Sequence, residues 1–288
     1  MSRLSLHAIL LLLFVTSVSF GQTPPSQNPS EWSQPYEPFR IAGNLYYVGT
    51  YDLACYLITT SQGNILINTG LAESAPMIRA NIEALGFKFS DIKILLNTQA
   101  HYDHVAAMAA IKKQTGAKMM IHEGDAQVLA DGGKSDFVLV GKENAFAPVT
   151  ADRLLHDGDT IRLGETTLLA LHHPGHTKGS TSFLLTVKDE NRSWKVLIAN
   201  MPTILPKTRL MGMPTYPKVG EDYKYTLEAM KKLQFDLWVA SHASQFRLHD
   251  KHKPGDAYHP AAFDDRPQYD AQLNALTQEY QTRLKNQK

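Results

Sequence analysis

Gln99, His101, Asp103 and His104 stand close together, directly after an apolar stretch at residues 92–96. Two imidazoles and a carboxylate at the end of a predicted strand direct several lone pairs into one small volume. Zinc prefers such nitrogen and oxygen ligands, so this cluster predicts half of a two-metal hydrolytic site. The alternative is a polar strand-to-helix turn in which both histidines are solvated or hydrogen-bonded.

Two further histidines follow apolar runs and occupy turns of the kind that a metal site uses. His176 lies in the turn at residues 173–180, and His242 follows a predicted strand at residues 237–240. Catalytic zinc takes three protein ligands and a water, so this inventory suits two metals and fits one structural zinc poorly. The predicted ligands are four imidazoles, one carboxylate and one weaker amide oxygen: His101, His104, His176, His242, Asp103 and Gln99.

This pattern resembles that of the metallo-β-lactamase superfamily, in which a His-x-His-x-Asp-His motif is followed by distant histidines. The chain is similar to the third subclass of the class B β-lactamases (B3) over nearly its whole mature length. Residues 130–136, residues 173–177, Tyr216-Pro217 and residues 221–223 carry this similarity. Gln99, where most members have histidine, and residues 32–50 resemble the GOB-type branch of B3.

The resemblance implies an α/β fold, the αββα sandwich, with two central mixed β-sheets flanked by helices and a metal site at one edge. It implies a zinc-dependent β-lactamase that opens the amide bond of penicillins, cephalosporins and carbapenems and confers antibiotic resistance. In that family a zinc-held water or hydroxide attacks the ring carbonyl, and Asp103 is the catalytic residue expected to orient it. The first metal site would be Gln99, His101 and His176, and the second Asp103, His104 and His242.

Gln99 weakens the first site, because a neutral amide oxygen is a poorer zinc ligand than an imidazole. We therefore expect one or two zinc ions per chain, with the second site tighter and the first filled only at high zinc. Iron is an alternative occupant of a weak first site. If Gln99 is no ligand at all, Gln99→Ala leaves metal content and rate unchanged.

Asn200 and Met201 follow a predicted strand where many other hydrolases of the superfamily have an aspartate that bridges the two metals. The missing carboxylate weakens a thioesterase or lactonase interpretation. Met201 is expected either to contact substrate or to pack in the core, and Thr203 is a weaker candidate for binding the substrate carboxylate. Asn68, where the superfamily usually has aspartate, is expected to orient a ligand from behind.

The remaining histidines are expected to have structural roles. His172 and His173 adjoin the ligand turn, where packing or support of a ligand is expected. A solvated surface position is expected for the others, which lie in polar surroundings: His122, His156, His249, His252 and His259.

The elements that must position these residues alternate between strands and helices. Strands are predicted at residues 45–49, 55–60, 64–68, 92–96, 117–121, 166–171, 182–187, 195–199 and 237–240. Helices are predicted at residues 74–85, after His104, at 222–233 and from about Arg266. Periodicity alone supports only a mixed α/β domain.

Length and composition bound the domain organisation. The 288 residues, 43% of them hydrophobic, can bury the core of one large domain, and no Pro/Gly-rich linker divides the chain. Residues 1–21 combine a basic start, a short apolar run and small residues, as in a secretory signal peptide. This predicts a single domain at residues 22–288 in the periplasm. The apolar run is too short for a membrane anchor.

Charge and cysteine usage exclude other classes. The net charge is +1 and no basic block occurs, which argues against nucleic acid as a partner. Cys55 is the only cysteine, so no intramolecular disulfide can form, and a buried inert thiol is expected. The expected partner is a small β-lactam, and a monomer is the default.

The sequence is compatible with three functions. The first is an exported zinc β-lactamase with a broad range that includes carbapenems. The second is a zinc hydrolase of a lactone, thioester or phosphoester, against which the missing bridging aspartate counts. The third is a non-catalytic zinc-binding protein whose first site has decayed at Gln99. Asp103 and the complete second ligand group argue against this third function.

Overall fold

Two stacked sheets bring the ligand-bearing turns to one edge of the protein. The computed structural model describes residues 28–190 and 192–287. The predicted signal peptide at residues 1–21 lies outside the described residues. Within the described part of the chain, no helix has both the length and the hydropathy needed to span a bilayer.

The first sheet consists of seven strands that neighbour one another in chain order. They are β1 (Phe39–Ala42), β2 (Leu45–Tyr47), β3 (Tyr56–Thr60), β4 (Gly63–Ile67), β5 (Ile92–Leu96), β6 (Lys118–His122) and β7 (Arg153–Leu155). β1 to β4 form an antiparallel meander, and β5, β6 and β7 continue the sheet in parallel. Parallel neighbours need long crossover connections, which here contain helices.

The second sheet has the strand order β12-β11-β10-β9-β8. Its strands are β8 (Thr160–Leu163), β9 (Thr166–His172), β10 (Thr181–Lys188), β11 (Ser193–Ala199) and β12 (Leu237–Ala240). β11 and β12 are parallel, with Ala199 opposite Ala240. The segments that follow these two strands therefore emerge side by side.

Helices cover the outer faces of both sheets. They are α1 (Ala75–Ala84), α2 (Tyr102–Val105), α3 (Met108–Thr115), α4 (Glu123–Asp131), α5 (Val219–Met230), α6 (Leu248–Lys251) and α7 (Arg266–Asn286). The first sheet is buried on both faces. On β4, Leu66 packs with Ile78 of α1, whereas the neighbouring Ile65 belongs to the core that the two sheets share, which includes Phe183 of β10. Successive side chains of a strand point to opposite faces, which explains its continuous apolar sequence.

The predicted αββα sandwich is confirmed, and most predicted elements occur within a few residues of their predicted bounds. The strand at residues 237–240 and the helix start at Arg266 coincide with the observed ones. The helix predicted at 222–233 begins at Val219 and ends at Met230. The helix predicted after His104 instead begins inside the ligand motif as α2 and restarts as α3. The sequence did not predict β1, β7, β8, α4 and α6, because these elements are short or lack a clear apolar period.

Candidate metal centre

The predicted ligands lie on turns that follow strand ends at the same edge of the sandwich. Gln99 follows β5, and α2 carries Asp103 and His104 in its single turn. His176 lies in the turn between β9 and β10, and His242 follows β12. A short bridge between Leu53 and His242 joins the first sheet to this last segment. The fold therefore brings all of the predicted ligands into one neighbourhood.

Asp103, His104 and His242 form a compact group. One ligand atom from each lies within 4.8 Å of the other two. Asp103 Oδ2 is 3.1 Å from His104 Nε2 and 3.4 Å from His242 Nε2. The two imidazole rings are nearly perpendicular, with centroids 4.9 Å apart. Among the described residues this is the one group of three His, Cys, Asp or Glu side chains with such convergence.

Gln99, His101 and His176 form the other predicted group. The rings of His101 and His176 have centroids 4.8 Å apart. His176 Nδ1 lies 2.7 Å from the carbonyl oxygen of Thr203, so its Nε2 is the nitrogen left for a ligand. Gln99 Oε1 is buried and has no hydrogen-bond partner within residues 28–190 and 192–287. This group offers two imidazoles and a neutral amide, without any carboxylate.

Carboxylates lie behind two of the four ligand imidazoles. Asp52 Oδ2 lies 2.9 Å from His242 Nδ1, and Asp136 Oδ2 lies 3.2 Å from His101 Nε2. Such partners fix the tautomer and the orientation of a metal-binding histidine. The sequence did not reveal them, because carboxylates distant in the chain carry no local signal that they will face a histidine.

The charges around the site keep Asp103 ionised. Burial disfavours the Asp103 carboxylate, yet His104 and His242 hold its pKa well below the usual range. Burial also disfavours the His242 imidazolium, but Asp103 and Asp52 outweigh this effect and raise its pKa to about 9. By contrast, burial and a neighbouring imidazole lower the pKa of His176 to about 3. Asp103 is thus available as an anionic ligand or hydrogen-bond acceptor at neutral pH.

A cavity of about 220 Å³ opens above these residues. Its polar floor includes Gln99, His101, Asp103, His176 and His242, and its remaining lining comes from Trp32, Tyr102, Leu139, Asn144, Met201, Thr203, Leu205 and Gln245. No Lys or Arg side chain of the described chain is among these lining residues. A larger groove of about 660 Å³ lies near the β3–β4 turn, but it contains none of the predicted site residues. We assign the chemistry to the smaller cavity.

Met201 and Thr203, the predicted substrate-binding residues, both line this cavity. Met201 is 1% exposed, so it also packs in the core, and the two roles that the sequence left open are compatible. Thr203 has a further role that the sequence did not reveal, because its carbonyl oxygen orients His176.

Some expectations about neighbouring residues are wrong. Asn68 contacts no ligand: its Oδ1 accepts from the Thr98 backbone N–H at 2.9 Å, and its φ of +62° is a left-handed conformation that asparagine tolerates well. His122 and His252 are buried rather than solvated. His122 Nδ1 accepts from the N–H of Gly124 at the start of α4, and the His252 ring stacks on Phe39 at 3.6 Å.

The other histidines and the cysteine agree with the sequence more closely. His156 and His259 are exposed as predicted, whereas His249 is half-buried against Tyr51. His173 is buried, with Nδ1 2.8 Å from Ser182 Oγ, in the packing role expected of it. Cys55 is buried, and burial raises the pKa of its thiol.

Fold, site and comparisons define the class of protein. Residues 50–189 match the model of the metallo-β-lactamase superfamily. A class B3 di-zinc metallo-β-lactamase from an Alaskan soil metagenome is 63% identical, with 91% of this chain and 98% of that chain covered and a TM-score of 0.88. The chain therefore belongs to the metallo-β-lactamase superfamily.

Within the superfamily, the similar structures named here carry β-lactamase names. The metallo-β-lactamase GOB-18 from Elizabethkingia meningoseptica is 56% identical, with 92% of this chain and 98% of that chain covered and a TM-score of 0.89. A probable metallo-hydrolase of Burkholderia pseudomallei is 35% identical over 115 residues, which is 39% of this chain and 37% of that protein. The chain spans less than half the length of the first curated relatives it matches.

The donor set fits zinc. Among the described residues, Gln99 Oε1 and His104 Nδ1 are buried without hydrogen-bond partners, and His104 Nε2 has only the ion-pair contact with Asp103. A buried polar atom left unpaired costs about 1–3 kcal/mol, so several of them close together indicate groups arranged to bind a cation. Imidazole, carboxylate and amide donors are suitable ligands for zinc.

Proposed function

We propose that the protein is a zinc-dependent β-lactamase that opens the amide bond of β-lactam antibiotics. One observation carries the proposal: two ligand groups, with buried and unpaired donor atoms, converge beneath one cavity in a chain 63% identical to a class B3 di-zinc β-lactamase. Zinc, when bound, lowers the pKa of a water toward ~7 and polarises a carbonyl. Hydrolysis would then need no serine or cysteine nucleophile.

The side chains around the cavity suit a small, anionic, partly apolar substrate. The Asp103 carboxylate faces the cavity in ionised form, where it can accept a hydrogen bond from the attacking water and hold it in line with the ring carbonyl. Trp32 and Leu205 provide apolar walls that exclude bulk water. Thr203 and Asn144 offer neutral polar groups to the substrate carboxylate, which meets no Lys or Arg among the described lining residues.

We propose unequal zinc sites. Asp103 gives the second group a negative charge, and this group converges within 4.8 Å. The first group, with Gln99, has only neutral donors. The second site should therefore bind zinc more tightly, and the first should fill at higher zinc.

We also propose that the protein is exported to the periplasm as a monomer after removal of residues 1–21. The sequence of those residues supports export. Export would place the enzyme outside the cytoplasm, where β-lactams act on cell-wall synthesis. A broad range that includes carbapenems is proposed from the resemblance to the B3 subclass.

The experiment is hydrolysis of a carbapenem and a cephalosporin by the protein from Gln22 onward, at defined zinc, with and without a chelator. Turnover that the chelator abolishes and zinc restores supports the proposal. No turnover with zinc demonstrably bound would refute it and direct the search to lactones, thioesters and phosphoesters. Zinc binding without turnover of any of these would favour a non-catalytic zinc-binding protein.

A further inference from the structure

Asp125, in the first turn of α4, is a buried carboxylate that no part of the proposed chemistry uses. It is 1% exposed and accepts three hydrogen bonds. Oδ2 accepts from the Ala100 backbone N–H at 2.9 Å and from Thr177 Oγ1 at 2.7 Å. Oδ1 accepts from the Gly179 backbone N–H at 2.7 Å. A buried carboxylate is tolerated when its lone pairs are satisfied in this way.

These three donors belong to two separate chain segments. Ala100 lies between the ligands Gln99 and His101, after β5 of the first sheet. Thr177 and Gly179 follow the ligand His176, in the β9–β10 turn of the second sheet. One carboxylate thus joins the two segments that carry the first ligand group. None of its hydrogen bonds involves Asp103, His104 or His242.

The surroundings of Asp125 are built for close contact with the His176 turn. A Cβ on Gly124 would lie 2.5 Å from the carbonyl oxygen of Lys178, and a Cβ on Gly179 would lie 2.5 Å from the backbone nitrogen of Asp125. Glycine at both positions therefore lets the start of α4 rest directly on the turn. His122 caps the same helix turn through Gly124, which fixes its direction.

We propose that Asp125 is a positioning residue that holds the two halves of the first metal site at the distance a metal requires. The inference rests on the proposed zinc function. It matters most at the first site, because a neutral amide is a weak ligand and every degree of freedom left in its neighbours lowers affinity further. Residues that orient metal ligands through hydrogen bonds change metal affinity by roughly 10- to 100-fold when removed.

The test is Asp125→Asn, which keeps the shape but replaces one acceptor oxygen by an NH₂ group. Either Gly179 or the Ala100 and Thr177 pair then faces a donor instead of an acceptor. Zinc titration of the zinc-free protein against a competing chelator gives the affinity of each equivalent. Amide hydrogen exchange at Ala100 and Gly179 in the zinc-free protein gives a readout that needs no metal. Asp152→Asn is the control, since this carboxylate also accepts a backbone N–H, from Met119, away from the ligands.

In Asp125→Asn we expect the weaker zinc equivalent to lose affinity about 10-fold or more, the tighter one to stay within about twofold, and exchange at residues 100 and 179 to accelerate. Thr177→Val removes one of the three hydrogen bonds and should produce a smaller change in the same direction, so the test stands even if Asp125→Asn fails to fold. Equal loss at both equivalents, or unchanged titration, would overturn the assignment. Selective loss in a protein that opens no β-lactam would refute the proposed function while supporting this assignment.

Discussion

Replacing Asp52 with asparagine tests how strongly the second zinc site depends on the residue behind its histidine. Asp52 Oδ2 accepts from His242 Nδ1 at 2.9 Å and from Trp32 Nε1 at 3.2 Å, and Oδ1 accepts from the Ser244 backbone N–H at 2.9 Å. Asparagine has nearly the same shape but only one acceptor oxygen. The NH₂ group of the asparagine must therefore face an N–H donor, either that of Ser244 or those of His242 and Trp32.

The expected loss can be sized from these contacts. The carboxylate fixes the His242 tautomer so that Nε2 faces Asp103, and it makes the ring a better donor to a metal. Removing such a partner lowers metal affinity by roughly 10- to 100-fold, which corresponds to about 1.4–2.7 kcal/mol. Because asparagine preserves the packing, we expect a loss of about 30-fold, near the middle of this range.

Zinc titration of the zinc-free Asp52→Asn protein against a chromophoric chelator measures this loss directly. Asp250→Asn is the control, since Asp250 follows the ligand His242 in the chain but forms its ion pair with the exposed Arg247 instead of with a ligand. We expect the tighter equivalent to weaken in Asp52→Asn and the control to behave as wild type. Wild-type affinity in Asp52→Asn, or a loss confined to the weaker equivalent, would contradict the reasoning.

Three further changes have definite expected outcomes. Gln99→His supplies an imidazole in place of the amide, so the weaker zinc equivalent should tighten by at least about tenfold in the same titration; no change would mean that residue 99 is not a ligand. Burial lowers the pKa of His173 to about 4. Between about pH 6.5 and pH 4 this histidine is therefore protonated in the unfolded chain but neutral in the folded protein, so the free energy of unfolding decreases as the pH falls through this range. His173→Asn should remove about 2 kcal/mol of this pH dependence, measured as the difference in the free energy of urea unfolding between pH 7 and pH 4.5, and an unchanged dependence would disprove the account. Gly124→Ala places a Cβ 2.5 Å from the carbonyl oxygen of Lys178, so it should lower the free energy of unfolding by about 1–3 kcal/mol. If the variant unfolds at the same urea concentration as the wild type, this prediction is wrong.

The sequence predicted the layers of the fold because buried strands leave a strong signal. Runs such as Leu237–Ala240 are apolar on both faces, and helices such as α5 have a clear apolar stripe. The helix α4 was missed since its start, Glu-Gly-Asp, lacks that stripe and contains glycine. Its form depends on contact with the His176 turn, which belongs to another sheet. Local patterns cannot report such contacts.

In the candidate site too, the sequence predicted residues that are close together in the chain, but not the partners that only the fold brings to them. Side chains such as His101 and His104 stand together in the chain, so their type and spacing could be interpreted directly. Asp136, near His101, and Asp52, near His242, approach these histidines only through the fold, and many other acidic residues had equal claims in the sequence. The principle that a ligand histidine needs a partner predicted that such residues exist, without predicting which ones.

A hydrogen-bonded network of neutral groups lies beneath the site. It explains how the amide side chains of Asn68 and Asn200 are accommodated there. Asn68 bonds to Thr98, Thr98 Oγ1 accepts from Ser241 Oγ at 2.9 Å, and Ser241 Oγ lies 3.3 Å from Asn200 Oδ1. Thr98 precedes the first ligand in the chain and Ser241 precedes the last. Amides and hydroxyls both donate and accept, so they can join in a buried network, whereas a carboxylate only accepts and would need a donor for each of its oxygens.

This neutrality bears on the unequal zinc sites. The chain has amides at residues 68 and 200, where many other hydrolases of the superfamily have aspartate, and at residue 99, where most members have histidine. Asp103 is then the one carboxylate among the predicted ligands, and it belongs to the second group. The attraction between ligand charge and a divalent cation is therefore concentrated at that group, because charged ligands in a low-dielectric interior act far more strongly than neutral dipoles. A weak first site accordingly follows from the neutral charge of its own three ligands, and Gln99→His, which leaves that charge unchanged, should narrow the difference in zinc affinity between the two sites without removing it.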